Sequence, residues 1–230
     1  MRYIFTYLSG SRLYGLDRAG SDYDIRGVFA LDKREEFVRC LDAPTKTRSR
    51  KFGSLDENLF EFTFYLRKLS YDVNLTESLF LSPGMFHYSA LDYETYQLLS
   101  SGANKLIDSR TLYKNLTNAI KSNFEKAMAA KDYSDKKVVK NIVFAVRMSV
   151  CGSYFFTNKY WEHNIRSIDS EAYRVLKDLL SGQDILTRSY CASLYDLYYR
   201  MIQEAPELRG FRKDPEYTNM LIDKVYHNVF

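Results

Sequence analysis

One stretch near the amino terminus constrains this chain more than any other. Residues 3–8 (YIFTYL) are apolar, aromatic and β-branched, and they run into Ser9-Gly10-Ser11. After ten further residues (12–21), which include Gly15 and Gly20, the chain becomes Asp22-Tyr23-Asp24-Ile25 and continues in strand-like residues to Ala30. This pattern predicts a buried strand over 3–8, a tight turn and loop, and a second strand over 22–30. Side chains alternate along a strand, so Asp22 and Asp24 are expected on one face and Tyr23 and Ile25 on the other. Two carboxylates so placed, with Cα atoms roughly 6–7 Å apart, can converge on a hard divalent cation that also takes water and phosphate oxygens. A Gly-Ser turn after a strand points backbone N–H groups outward, and glycine lets a phosphate come close. The Ser11 hydroxyl adds a donor. A phosphate cradle beside a dicarboxylate is what nucleotide chemistry requires.

The plainer alternatives are a solvated Asp-x-Asp turn and an ordinary hairpin turn at Gly10-Ser11. An EF-hand loop beginning at Asp22 is excluded, because its fifth position is Arg26 and its twelfth is Lys33. The joint occurrence of both motifs between strand-like residues favours a site.

Further along, residues 33–39 form a brief charged segment and 44–54 (PTKTRSRKFGS) read as a polar, basic loop. Alternation returns over 55–64, where Phe60, Phe62 and Phe64 flank Glu61 and Thr63. A helix is expected over 65–71 and another from Leu75 to Leu81, broken by Pro83-Gly84. Segments 92–101, 110–131, 135–158, 169–181 and 186–205 carry apolar residues at helical spacing, with Ser170-Glu171 as a start signal and Gly182 as a stop. The expected fold is α+β: a small mixed sheet with flanking helices over residues 1–105 and an all-helical lobe over 106–230. The site is expected in the cleft between them.

Composition narrows the function classes. With 46% hydrophobic and 27% charged residues, the 230-residue chain is neither disordered nor fibrous. The net charge of +4, with no basic tail, argues against a strongly electrostatic nucleic-acid coat. Three distant cysteines (Cys40, Cys151, Cys191) without a CxxC offer neither a disulfide framework nor a structural zinc site, and His87, His163 and His227 are equally scattered. No signal-peptide core precedes Ser9, and the run Ile142–Val146 stops at Arg147. A cytoplasmic protein without membrane contact is expected. The basic residues Lys46, Arg48, Arg50 and Lys51 fit either a solvated loop or a grip on a polyanionic acceptor such as RNA or DNA. Lys140 and Arg147, seven apart on one helix face, could reach a triphosphate from the second lobe. Tyr154, Phe155, Phe156, Tyr160 and Trp161 could stack bases, although core packing is the stronger reading.

Gly10-Ser11, ten residues, then Asp22-h-Asp24-h (h, hydrophobic) is similar to the signature of DNA polymerase β-like nucleotidyltransferases. The fuller string SGSRLYGLDRAGSDYDIRGVF (Ser9–Phe29) resembles the RNA-repair-pathway polymerase β family of bacteria and phages. The likeness is specific over 3–30 and weaker through Asp56–Phe80, with Asp72, Glu77 and Leu79-Phe80. Beyond residue 85 it is only a general helical pattern around Lys140 and Arg147. The resemblance implies three acids binding a pair of Mg²⁺ ions, with Mn²⁺ as a possible substitute. Asp22 and Asp24 match the first two. For the third, Asp56 fits the spacing best, with Glu61 and Glu57 as alternatives. It further implies that Gly10 and Ser11 hold the β- and γ-phosphates of an NTP, assisted by Arg12. The implied activity is transfer of a nucleoside monophosphate to an acceptor hydroxyl on a nucleic-acid end (RNA or tRNA), a protein or a small molecule, in a bacterial or phage-infected cell. A catalytically weak nucleotide- or RNA-binding module using the same cleft is the alternative. A helical interaction protein with the α/β lobe as scaffold is a third possibility.

Overall fold

The computed structural model describes residues 2–33 and 47–227. Strand β1 (Arg2–Leu8) buries Ile4, Phe5 and Tyr7 and lies between β2 (Tyr23–Ala30) and β5 (Phe86–Leu91), antiparallel to both. β3 (Thr47–Phe52) and β4 (Leu55–Glu61) form a hairpin, and β4 runs parallel to β2. The result is a mixed five-stranded sheet in the order β3-β4-β2-β1-β5. The fold is α+β, as the sequence pattern predicts.

β3 corrects the loop expected over 44–54, of which 44–46 lie outside the described residues, as does most of the charged segment 33–39. All six residues of β3 are exposed, so no hydrophobic alternation marks it. The usable signal is the turn: Gly53, at φ +59°, opens the two-residue connection Gly53-Ser54 between the register partners Phe52 and Leu55.

β4 ends earlier than the phenylalanine alternation suggests. Glu61 adopts extended backbone and accepts from the Phe64 N–H at 3.0 Å, capping helix α2 (Phe62–Lys68). Phe62 and Phe64 are therefore helical. The cap overrides the period-two pattern. The helix expected over 75–81 is a short α3 (Val73–Thr76), capped by Asp72, running into a 3₁₀ turn at Glu77–Phe80.

The chain forms two compact units. The first comprises Met1–Leu13, Asp17–Leu112 and Arg209–Phe230; the second comprises Tyr14–Leu16 and Tyr113–Leu208. In the first, Phe5, Phe86 and Tyr96 meet edge to face, with ring centroids 4.6 Å apart for Phe86–Tyr96 and 5.2 Å for Phe5–Tyr96. The hydroxyls of two buried tyrosines here are tethered: that of Tyr96 accepts from the Leu81 N–H at 2.9 Å, and that of Tyr65 meets Ser78 Oγ at 2.8 Å. Tyr65 and Tyr96 are thus core residues with a tethered hydroxyl. Helices α4 (Tyr93–Ser101) and α5 (Ala103–Leu106) complete this unit together with α11 (Pro215–His227), which packs on α2, α4 and α5. The sequence pattern includes this segment in the all-helical stretch but does not delimit the helix. Arg2 donates to the Val225 carbonyl at 2.8 Å and Lys213 to the Leu66 carbonyl at 3.1 Å, fastening this last segment to the sheet unit.

The second unit holds most of α6 (Ser109–Met128), α7 (Lys136–Asn158), α8 (Ile165–Ile168), α9 (Ser170–Ser181) and α10 (Arg188–Gln203). α7 is long and apolar enough to pass for a membrane span by composition, yet it is the helix on which α9 and α10 pack, burying Ile142, Val146, Cys151 and Phe155. Phe155, Phe156 and Trp161 are core residues, whereas Tyr160 is exposed.

Candidate active site

The parallel register of β2 and β4 sets Asp24 directly beside Asp56, and the antiparallel register of β3 and β4 sets Lys51 on the other side of Asp56. Asp24, Asp56 and Lys51 therefore form one row across three strands, spaced roughly 4.8 Å apart in the hydrogen-bonding direction. Both acids are half-buried. Asn58 donates to Asp56 Oδ1 at 3.1 Å, and Asn58 Oδ1 accepts from Ser49 Oγ at 2.6 Å, bracing Asp56 from the next position on the same face.

Gly10 opens helix α1 (Gly10–Leu13) at φ +63°. A Cβ at this position would fall 1.9 Å from Asp24 Oδ2 and 2.9 Å from its Cγ, so only glycine permits the turn to close on that carboxylate. The Ser9 N–H donates to the Asp24 carbonyl at 2.7 Å and fixes the approach. The turn and the strand-borne acid of the sequence motif are thus in contact. Ser11 follows, half-buried, on α1.

Asp22 departs from the expected arrangement. β2 begins at Tyr23, so Asp22 lies in the exposed segment just before the strand. Its carbonyl accepts from Arg12 Nε at 3.3 Å, and the Ser21 carbonyl accepts from Arg12 Nη2 at 3.0 Å. The Arg12 guanidinium also lies 3.8 Å from the Tyr23 ring centroid and 3.5 Å from Asp17. Arg12 braces the loop that delivers Asp22.

Of the alternatives for a third acid, Glu61 is fully buried and committed. Its carboxylate takes the Thr63 hydroxyl at 2.5 Å and the Tyr226 hydroxyl at 2.5 Å in addition to the Phe64 N–H. Glu57 alternates with Asp56 and falls on the opposite face of β4. Among the described residues, no three Asp, Glu, His or Cys side chains group so as to hold a metal ion. A pair of carboxylates does fit Mg²⁺, which keeps several waters and completes its shell with substrate phosphate.

Sequence reasoning missed Arg26 and Asn58, each two residues beyond a site acid and hence on its face. Burial pushes the Tyr7 hydroxyl well above its usual pKa, against the pull of the Arg26 guanidinium that hydrogen-bonds it. Lys140 is exposed on α7, and the Arg147 guanidinium stacks over Tyr14 at 3.9 Å within the same unit. Of the basic segment, Arg48, Arg50 and Lys51 lie on β3, and Lys46 lies outside the described residues.

No curated protein matches the chain. Among solved structures, it is similar to a nucleotidyltransferase-like protein from Exiguobacterium sibiricum, at 11% identity and a TM-score of 0.37 over 99% of this chain and 74% of the other. The family profile described as the RNA repair pathway DNA polymerase beta family matches residues 1–180, which include both the Gly10-Ser11 turn and the row through Asp24 and Asp56. The chain belongs to the RNA repair pathway DNA polymerase beta family.

Proposed function

We propose that this protein transfers a nucleoside monophosphate from an NTP to an acceptor hydroxyl in a reaction that depends on Mg²⁺ or Mn²⁺. The observation that carries this reading is the contact of Gly10 with Asp24, in register beside Asp56. Asp24 and Asp56 would hold the divalent cation, with Asp22 contributing from the exposed position before β2. When bound, such an ion neutralises phosphate charge and supports the pyrophosphate leaving group. The Gly10 N–H and the Ser11 hydroxyl would hold the β- and γ-phosphates. Asp56, braced by Asn58, would take the acceptor proton as general base. A bond then forms between the acceptor oxygen and the α-phosphorus, the bond from that phosphorus to the bridging oxygen breaks, and pyrophosphate leaves.

A second reading is a nucleotide-binding module with weak or no turnover. The lack of a three-acid group among the described residues favours it. One experiment separates the two. The protein is incubated with each α-³²P-labelled NTP, Mg²⁺ or Mn²⁺, and RNA, DNA or protein acceptors. Label on an acceptor, abolished by EDTA, is expected. Metal-dependent NTP binding without label on any acceptor leaves the binding module. No binding at all would sink both readings.

A further inference from the structure

The row next to the acids, at the rim of the sheet, consists of Tyr23, Leu55 and Phe52, which are register partners across β2, β4 and β3. Their exposures are 46%, 37% and 86%. Single exposed apolar residues are ordinary, but three in register on adjacent strands form a patch. Along β3, Arg48 and Arg50 share the face of Phe52 and follow it at roughly 6.6 Å intervals. Glu57 is the register partner of Arg50, while Arg48 stands opposite the apolar Leu59. An aromatic end continuing into spaced guanidinium groups fits a single nucleic-acid strand. Unpaired bases offer π-faces to the rings, and the phosphates meet the arginines. A peptide edge would need none of these charges, and arginine on an edge strand disfavours strand addition.

We propose that Phe52, Tyr23, Arg48 and Arg50 form a binding surface for single-stranded nucleic acid, which brings a strand end over the rim to the neighbouring row of Asp24 and Asp56. The inference rests on the transfer reading for the role of that strand as acceptor, but the binding itself does not.

The test is fluorescence anisotropy with labelled oligouridylate, oligodeoxythymidylate and a blunt duplex of about ten nucleotides, in EDTA and without NTP. The parent protein is expected to bind at least one of the two single strands more tightly than the duplex. Phe52→Ala is expected to weaken that binding roughly tenfold, within the range that loss of one base–ring stack produces. Arg48→Gln with Arg50→Gln is expected to flatten the dependence on salt by about 0.7 per lost phosphate contact. Phe52 is exposed, so the variant's melting temperature and its affinity for Mg²⁺·NTP should match the parent's; a shift in either marks a folding effect, in which case Phe52→Leu, which keeps apolar bulk but removes the ring, replaces it. Equal affinity of the aromatic variants and the parent, or a duplex bound as tightly as the single strands, overturns the proposal. Strand binding with this pattern but no transfer from any NTP leaves the surface standing and removes the transfer reading. Transfer to a protein or small molecule with no strand binding does the reverse.

Discussion

Asp56 and Glu61 stand five residues apart on β4, and the same strand prepares them for opposite work. Glu61, at the buried end, meets a backbone N–H and two hydroxyls, caps α2 and anchors α11 through Tyr226. Asp56, at the open end, has Asn58 against one oxygen, a second carboxylate in register on one side and a lysine on the other. A buried acid without full hydrogen bonding would cost several kcal/mol, so the inner position must saturate its carboxylate. Two neighbouring acids near solvent repel each other, and that repulsion is relieved by a cation. Local satisfaction, more than charge or spacing, separates scaffold from candidate chemistry here.

The largest effects should come from the open end. Asp24→Asn and Asp56→Asn are each expected to reduce nucleotidyl transfer by about a hundredfold or more, equivalent to about 2.7 kcal/mol of transition-state stabilisation. Each should leave the melting temperature of the protein without ligand unchanged or slightly higher, since one of two adjacent negative charges is gone. Steady-state assays paired with calorimetry check both parts. A large loss of stability would place these acids with Glu61 as scaffold.

Glu61→Gln should behave in the opposite sense. Its amide retains one acceptor for the cap but turns an NH₂ toward the Tyr226 hydroxyl, which must give up its role as donor there. The charge that strengthens all three bonds is also lost, at a cost of roughly 1–3 kcal/mol of stability. Transfer per folded molecule should stay near the parent value. Denaturant unfolding reads the first outcome and activity normalised to folded protein reads the second. A variant of normal stability and hundredfold lower activity would restore Glu61 as the third acid.

The contrast also explains what was legible in the sequence. Strands β1 and β2, the Gly10-Ser11 turn and the long helices are dictated by local pattern, and all are present. The end of β4 was not legible, because the phenylalanine alternation around Glu61 mimics a continuing strand while the cap depends on burial. β3 was missed because an exposed basic edge strand has no apolar face to read. The pattern extends β2 back to Asp22, yet the strand begins at Tyr23 and Arg12 holds the Asp22 carbonyl in the preceding segment. That Asp56 rather than Glu57 faces the row of Asp24 follows from strand pairing, which a single sequence does not encode locally.

Gly10→Ala tests the contact that ties the turn to the open end. A left-handed backbone costs an ordinary residue about 1–2 kcal/mol, and the new methyl group must push the Asp24 carboxylate aside. Stability should fall by about that amount, and Mg²⁺·NTP should lose most of its ability to raise the melting temperature. In the parent that stabilisation is roughly 2.7 kcal/mol at ligand concentrations about 100 times Kd. An undiminished ligand shift would show that phosphate is not held at Gly10.

The smallest expected effect concerns Arg12, which stands at the open end but is bonded in the manner of Glu61. Its Nε and Nη2 hold the Asp22 and Ser21 carbonyls while the guanidinium plane covers Tyr23. A positioning residue of this kind acts through its fork geometry, which lysine cannot reproduce. A phosphate contact acts mainly through charge, which lysine retains. If Arg12 positions Asp22, Arg12→Lys and Arg12→Ala should lower kcat alike, by a few fold, with KM for NTP close to the parent value. Stability should fall by less than about 1 kcal/mol in either variant, because the lost hydrogen bonds lie at the surface. If Arg12 instead grips the triphosphate, Arg12→Ala should raise KM by about tenfold while Arg12→Lys stays near the parent. The first outcome extends the rule drawn from Glu61, that a charge already satisfied by the chain serves the chain. The second would show that the rule fails at the open end, where the incoming phosphate can draw Arg12 away from the loop.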